Sequence, residues 1–347
     1  MARGEDNGLV SAIIPARNEE RGIARVVESV AAQPEVDEVI VVDDESTDGT
    51  GDILIDLAEE VPKLKIILNV GLPAGWTGKN HAASVGAKEA HGEWLLFTDA
   101  DTYHYLGAAR RALNDAAERE AVLVSYSPEQ QVETFWEKAL IPFVYCRLNA
   151  RYSYGRVNNP ALQDAAANGQ FILILREVYE AVGGHAAVKN QVLEDVALAR
   201  RVKEAGYKIY FTAPMGVVRT RMYTSLGAMW EGWTKNLYQI LRGSGASVVG
   251  EMVRVLAQPL LAALLLIWGS TRGAGAPSWV YWGLATAVVV LWHAVYAMEL
   301  EKNLFPVRYI VYMAVGVCLY VAALAASWWK NTRGTVTWKG REYRARA

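Results

Sequence analysis

Two aspartates one residue apart, Asp99 and Asp101, close the apolar run Trp94-Leu95-Leu96-Phe97-Thr98. Carboxylate oxygens are what a hard divalent cation takes as ligands, and a cation held by one or two of them can hold a diphosphate in turn. That is the chemistry of a nucleotide-sugar site. The competing reading is capping of a helix expected from near Tyr105, because Asp is common in turns and at helix starts. Asp43 and Asp44 follow another apolar run, Val39-Ile40-Val41-Val42, and Glu194-Asp195 opens a predicted helix, where plain interaction with the helix dipole is the alternative. Lys79 lies in a loop punctuated by Gly71, Pro73, Gly75 and Gly78. One acid at a strand tip is ordinary, whereas several converging on one sheet edge are hard to dismiss.

Such convergence needs strands whose ends align. A short apolar run bounded by Gly92 and by polar residues reads as a strand buried on both faces, the pattern of a parallel sheet covered by helices. In sheets of that kind ligands bind beyond the carboxyl ends of the strands. Strands are predicted at 9–14, 39–42, 64–68 and 169–175. Helices are predicted around Ile23, Val26, Val27 and Val30, at 81–90 and at 193–205. The alternation implies right-handed crossovers and a mostly parallel α/β sheet. Neither GxGxxG nor a Walker pattern is present, which counts against hydride transfer and P-loop hydrolysis. His81, His91, His104 and His185 lack zinc-site spacing.

The chain has 347 residues, 52% hydrophobic and 21% charged, and its apolar excess collects after residue 250, so a soluble domain is followed by a membrane domain. Of the apolar runs at 252–270, 277–298 and 305–329, the second and third are long enough to span a bilayer and the first is near the lower limit. Trp230 and Trp233, with Lys235 and Arg242, predict an interfacial helix within 222–241. The aromatic and basic mixture at 134–154 fits either a membrane-surface helix or one packed on the sheet. The division expected is a catalytic domain at 1–221, an interfacial helix and linker at 222–248, two to three spans at 249–330 and a basic tail at 331–347.

A net charge of -2 argues against nucleic acid as partner. Two distant cysteines, Cys146 and Cys318, argue against a disulfide framework, and the polar start Met1-Ala2-Arg3-Gly4-Glu5-Asp6 lacks a signal-peptide core. The catalytic part is thus expected in the cytoplasm, on the inner membrane. Three spans would then carry the tail outside, although Lys330, Arg333, Lys339, Arg341, Arg344 and Arg346 favour the inside. A first run that is re-entrant or interfacial, leaving two spans, and an exceptional tail both stay open.

Ile13-Ile14-Pro15-Ala16-Arg17-Asn18-Glu19, Val41-Val42-Asp43-Asp44-Glu45-Ser46-Thr47-Asp48-Gly49-Thr50, Asp99-Ala100-Asp101 and Glu194-Asp195 resemble, in that order, the motifs of family 2 glycosyltransferases with a GT-A fold. Gly75-Trp76-Thr77-Gly78-Lys79, Asn168-Gly169-Gln170 and Gly183-Gly184-His185 look closest to the hopene-associated and carotenoid (diaponeurosporenoate-type) branch. The resemblance covers residues 8–240 and implies a Rossmann-like nucleotide-sugar domain followed by transmembrane helices. It gives Pro15, Arg17, Glu19, Asp43, Asp44, Lys79, Asp99 and Ala100 to the nucleotide sugar. Asp101, helped by Asp99, would bind Mg2+ or Mn2+, and Asp195 with Glu194 would form the catalytic pair, Asp195 as base. Gly169, Gln170, His185, Trp230 and Trp233 would fall on the acceptor side. The implied activity is inverting, metal-dependent transfer of a hexose, glucose from UDP-glucose, to a membrane lipid. Where processive polysaccharide synthases carry Gln-x-x-Arg-Trp, this chain reads Trp230-Glu231-Gly232-Trp233, which argues against a polymerase. The alternatives are a polyprenyl-phosphate sugar transferase, with Arg147, Arg151, Arg219 or Arg221 meeting the phosphate, and a membrane scaffold with a degenerate transferase domain.

Overall fold

The computed structural model describes residues 10–271, 277–333, 335–338 and 341–344. The polar start at 1–6 and part of the basic tail, Lys339 and Arg346 included, lie outside the described residues. Two compact units make up the chain, Met1–Gln131 with Tyr152–Met222, and Val132–Arg151 with Tyr223–Ala347.

The strands of the first unit are β1 (Val10–Ala16), β2 (Val36–Asp43), β3 (Leu64–Leu68), β4 (Trp94–Phe97), β5 (Thr102–His104), β6 (Leu123–Tyr126), β7 (Glu129–Gln130), β8 (Ile172–Leu175), β9 (Ile209–Thr212) and β10 (Val218–Thr220). Seven form one sheet in the order β3-β2-β1-β4-β8-β6-β9, and β5, β10 and β7 form a second. Between them run α1 (Ile23–Ala31), α2 (Thr50–Glu60), α3 (Gly78–Glu89) and α4 (Ala108–Arg119). The chain then leaves through α5 (Phe135–Arg151) for the second unit and returns with α6 (Tyr154–Val157), α7 (Arg176–Ala181) and α8 (Glu194–Glu204).

Strand β1 explains why the large sheet is covered on both sides. Ala12 and Ile14 point into one cluster with Ile23, Val26, Val27 and Val30 of α1, while Ile13 points into the other with Ala82 and Ala83 of α3. That is the two-residue alternation of a strand buried on both faces. Helix α3 can approach closely because Gly86 has no side chain: a Cβ there would lie 2.6 Å from Ile13 Cγ2 and 3.1 Å from a Val42 methyl. β1 is parallel to β2 and to β4, with Ala16 opposite Asp43 and Ile13 opposite Phe97, so these strands deliver their tips to one edge. The sheet is mixed, since β8 runs antiparallel to both β4 and β6. It enters the sheet after the excursion through α5, not from a right-handed helical crossover, and nothing therefore forces it parallel.

The second unit contains α5, α9 (Leu226–Ile240), α10 (Gly245–Thr271), α11 (Ser278–Lys302), a 3-10 turn at Val307–Tyr312, α12 (Met313–Thr332) and the antiparallel pair β11 (Thr335–Trp338) and β12 (Arg341–Arg344). α10, α11 and the stretch Val307–Thr332 are each long and apolar enough to cross a membrane. Sheet packing is not the fate of 134–154: α5 places Phe143 against Tyr296 of α11 and Tyr320 of α12, and it belongs to this unit although it falls within the 1–221 assigned from sequence.

Candidate active site

The loops after β1 and β2 are laced together. Asn18 N donates to Ser46 Oγ at 3.0 Å, Thr47 N to Asn18 Oδ1 at 2.8 Å and Glu19 N to Thr50 Oγ1 at 2.8 Å. Arg17 Nη1 donates to the carbonyls of Asp44 and Glu45. Pro15, Arg17 and Glu19 are half-buried in this wall. Asp43 and Asp44 are buried, 6% and 4% exposed. Asp43 Oδ1 accepts from Ser46 N at 3.0 Å, and Asp44 Oδ1 accepts from Asn69 Nδ2 at 2.9 Å. Polar turn residues thus fix the backbone of the loops after β1 and β2.

Asp99 and Asp101 do not cap a helix, because α4 begins only at Ala108 behind a left-handed Gly107, and β5 intervenes. Their loop rests on a buried polar network. Thr98 Oγ1 lies 2.9 Å from both Thr102 Oγ1 and His104 Nε2, and it donates to the Gln170 carbonyl at 2.8 Å. Thr220 Oγ1 and Arg25 Nη2 both donate to the Asp101 carbonyl at 3.1 Å. The bare Cα of Gly22 allows close approach from outside, since a Cβ there would sit 2.6 Å from the Ala100 oxygen. Burial lowers the His104 pKa to about 3, so the network adds no charge behind the aspartates.

Lys79 joins the two acidic groups. Thr77 caps α3, its side chain accepting from Asn80 N at 3.3 Å, and Asn80 Nδ2 donates to the carbonyls of Val188 and Gln191. That fixes the helix start from which Lys79 Nζ reaches Asp99 Oδ1 and Glu194 Oε1, each at 2.7 Å. Burial works against the Lys79 cation, but Asp99, Glu194 and Asp195 outweigh it and hold the pKa well above the usual lysine value. Glu194 and Asp195 open α8 behind Leu193, which supplies no side-chain cap. Asp195 Oδ1 accepts from Val196 N at 2.7 Å and Oδ2 from Gly169 N at 3.0 Å. Burial and then Glu194 push the Asp195 carboxyl up to about 7, against the opposing pull of Lys79 and the two amides. A carboxyl held there is matched to taking a proton at neutral pH.

Gly169 stands among these groups: a Cβ on it would lie 2.8 Å from Lys79 Nζ and 3.4 Å from Glu194 Oε1. Because Nζ ends a flexible chain, Gly169→Ala is expected to cost little stability but to displace the ammonium. Differential scanning fluorimetry should give a near-native midpoint, and steady-state assays should give turnover lowered by about tenfold, roughly 1.4 kcal/mol of barrier.

Other residues fall elsewhere than the sequence suggested. His185 does not line an open acceptor site: it is 3% exposed, its Nδ1 is 2.9 Å from the Tyr179 hydroxyl, and its ring packs 4.7 Å from Phe97. Burial, then Lys79, lowers its pKa to about 3. Gln170 is likewise 3% exposed and sits behind the aspartates, its Nε2 donating to Thr220 Oγ1 at 3.3 Å and to Asp101 Oδ1 at 3.5 Å. Ala100 is 1% exposed and packs in the core. Trp230 and Trp233 belong to the second unit, where Trp233 is 3% exposed with its ring edge-on to Tyr145 and Tyr223. Sequence reading missed Thr98 and Thr102, small polar residues flanking the Asp99–Asp101 loop, and Thr220, which reaches that loop only through tertiary contact.

Among the described residues no group of three His, Cys, Asp or Glu forms a ready metal cage. Asp99 and Asp101 nevertheless fit Mg2+ or Mn2+, because such ions take one or two carboxylates and complete their shell with substrate phosphates and water. Lys79 engages Oδ1 of Asp99, and Asp99 Oδ2 with the Asp101 carboxylate, which also accepts from Gln170 Nε2, would be the oxygen donors to the ion.

Residues 11–183 match the model for glycosyl transferase family 2. The chain is 26% identical over 351 residues to the 4,4'-diaponeurosporenoate glycosyltransferase of Staphylococcus aureus (strain MRSA252), covering 95% of this chain and 87% of the relative. It is 26% identical over 268 residues to the enzyme of the same name from Staphylococcus haemolyticus, covering 76% and 67%. A mannosyltransferase from Pyrobaculum calidifontis, solved in complex with GDP-Man and Mn2+, superposes with a TM-score of 0.54 at 19% identity, covering 94% of this chain and 87% of that one. The fold is GT-A.

Proposed function

We propose that this chain, a member of glycosyl transferase family 2, moves a hexose, glucose from UDP-glucose, onto the hydroxyl or carboxyl of a membrane lipid of the hopanoid or carotenoid type. The transfer inverts the sugar carbon and uses Mg2+ or Mn2+. The observation that carries this reading is the Lys79 ammonium, 2.7 Å from a strand-tip carboxylate of the Asp99–Asp101 loop and 2.7 Å from Glu194, the neighbour of Asp195. An inverting transfer needs one group that deprotonates the acceptor and another that neutralises the departing diphosphate. Asp195 supplies the first. Its Oδ2 is anchored by the Gly169 amide and its Oδ1 by Val196, so the carboxylate is oriented before the acceptor arrives. Asp99 and Asp101 hold the cation, which when bound neutralises charge on the diphosphate. Lys79 keeps Asp99 and Glu194 from repelling each other and offers its exposed share to the phosphates. The names of the staphylococcal relatives support the lipid acceptor, and the apolar helices support catalysis at the cytoplasmic face of the cell membrane. For a polyprenyl-phosphate acceptor a cationic pocket would be required, and Arg147 is already engaged by Glu251 at 2.7 Å.

Thermal-shift titration of the detergent-purified protein with UDP- and GDP-sugars, with and without Mn2+, tests the donor half. Ligand at a hundred times its Kd should add about 2.7 kcal/mol of apparent stability. A Mn2+-dependent shift with UDP-glucose is the expected result. A shift confined to GDP-sugars would overturn the donor, and no shift with any nucleotide sugar would overturn the activity.

A further inference from the structure

Glu251 of α10 is a carboxylate only 6% exposed on which three side chains converge: Arg147 Nε of α5 donates to it at 2.7 Å, Arg254 Nη1 at 2.5 Å and the Tyr320 hydroxyl of α12 at 3.5 Å. Such a cluster is costly in hydrocarbon, and it marks the level at which the second unit passes from headgroups into the bilayer. Beyond Arg254, α10 carries no Asp, Glu, Lys or Arg. Gly269 meets Tyr281 and Trp282 of α11, a Cβ on it lying 2.9 Å from Tyr281, so the two helices turn back there. From Glu251 to Gly269 the helix rises about 27 Å at 1.5 Å per residue, nearly the ~30 Å of a hydrocarbon core. α11 makes the same journey back: it is free of Asp, Glu, Lys and Arg from Ser278 to Met298, and Asn303 just past its end reaches Cys146, the neighbour of Arg147. Leu260, Leu264, Ile267, Trp282, Val290 and Leu291 stay exposed along both helices, as lipid-facing residues would.

α12 has the length and composition of a third span but not the position. Tyr320 already lies at Glu251, and a Cβ on Gly245, the first residue of α10, would be 3.0 Å from the Trp328 ring. α12 thus runs antiparallel to α10 and beside only its opening turns. Ahead of Tyr320, only about 10 Å of α12 and the short 3-10 turn Val307–Tyr312 lie on the hydrocarbon side of the cluster. The remainder returns along α9: Tyr238 N donates to Ser327 Oγ at 2.9 Å, Lys330 Nζ to Thr234 Oγ1 at 2.9 Å and Gln239 Nε2 to Asn331 Oδ1 at 3.1 Å. In its most apolar stretch 39% of the residues are buried, against 17% in α10 and in α11. The buried stripe Gly316, Val317, Tyr320, Ala323, Leu324 and Ser327 has the spacing of a helix packed on protein.

We infer that α10 and α11 form a hairpin and are the two full crossings, while α12 is a half-inserted helix strapped onto α5 and α9. The chain beyond Thr332 then leaves on the side of α9, where the β11 backbone also lies. Lys330 and Arg333 then lie on the side from which α10 enters, and Ser278 at the start of α11 lies on the other. The inference is independent of donor and acceptor chemistry.

Single-cysteine variants of the full chain, made in a Cys146→Ala, Cys318→Ser background shown to extract and elute as the parent does, test it by labelling with a membrane-impermeant maleimide. Inside-out and right-side-out vesicles are compared. Ala246→Cys at the opening of α10 and Thr332→Cys at the end of α12 should label in the same vesicle orientation and lose labelling in the other, with Ser278→Cys showing the opposite pattern. Thr332→Cys labelling together with Ser278→Cys would overturn the inference in favour of three crossings. All three labelling from one side would overturn it in favour of none.

Discussion

Asp195→Asn is expected to lower transfer by about 10^2 to 10^4 at pH 7 while leaving donor-induced thermal shifts unchanged. The amide is nearly the same size and its oxygen can still accept from Gly169 N or Val196 N, but it cannot take a proton. The wild-type pH profile provides a second readout. Burial and Glu194 hold the Asp195 carboxyl at about 7, and the active form is the deprotonated one. The kcat/KM value should therefore fall tenfold per unit below pH 7 and level off above it, and the residual activity of Asp195→Asn should lack that limb. Lys79→Met should move the limb alkaline, because the ammonium is what pulls the carboxyl down. A folded pKa raised above the unfolded value costs stability once the pH exceeds the unfolded value, and the cost is fully present above pH 7. Asp195→Asn should accordingly be at least as stable as wild type at pH 8. Wild-type turnover in this variant would remove Asp195 from the base role.

The placement of the strand-tip acids was legible where local sequence dictates geometry. Val39-Ile40-Val41-Val42 and Trp94-Leu95-Leu96-Phe97 are apolar runs with no room for helical amphipathicity, so strands with acids at their tips could be read directly, and β2 and β4 end where expected. The capping alternative for Asp99 and Asp101 fell to β5, which intervenes before α4, while the pairing of Asp99 with Lys79 is a tertiary contact from a helix start twenty residues earlier. The small sheet of β5, β7 and β10 escaped notice because strands of two or three residues carry no period, and their pairing joins segments more than eighty residues apart. Gln170 and His185 show the limit of residue type as a guide. Both are polar groups next to glycines, a loop signature, yet burial turns Gln170 into a support behind Asp101 and His185 into a neutral core residue.

Asp101→Ala is expected to abolish the metal-dependent part of donor binding and to lower transfer by roughly 10^3, since a cation on the leaving group supplies several kcal/mol of charge stabilisation. The loop should survive the change. Its main chain is held at the Asp101 carbonyl by Thr220 and Arg25 and from beneath by Thr98, and none of these bonds uses the Asp101 side chain. Binding of the nucleotide sugar without metal should therefore match wild type, while the additional thermal shift with Mn2+ disappears. Asp99→Asn should behave differently. It leaves Asp101 in place but weakens the hold on Lys79, so the ammonium swings toward Glu194, and the Mn2+-dependent shift should be reduced and not lost. A common loss of all nucleotide binding in both variants would mean that the loop had collapsed. A full Mn2+ shift in Asp101→Ala would mean that the cation sits elsewhere. The contrast between the two aspartates isolates the cation site because Asp99 shares its carboxylate with Lys79.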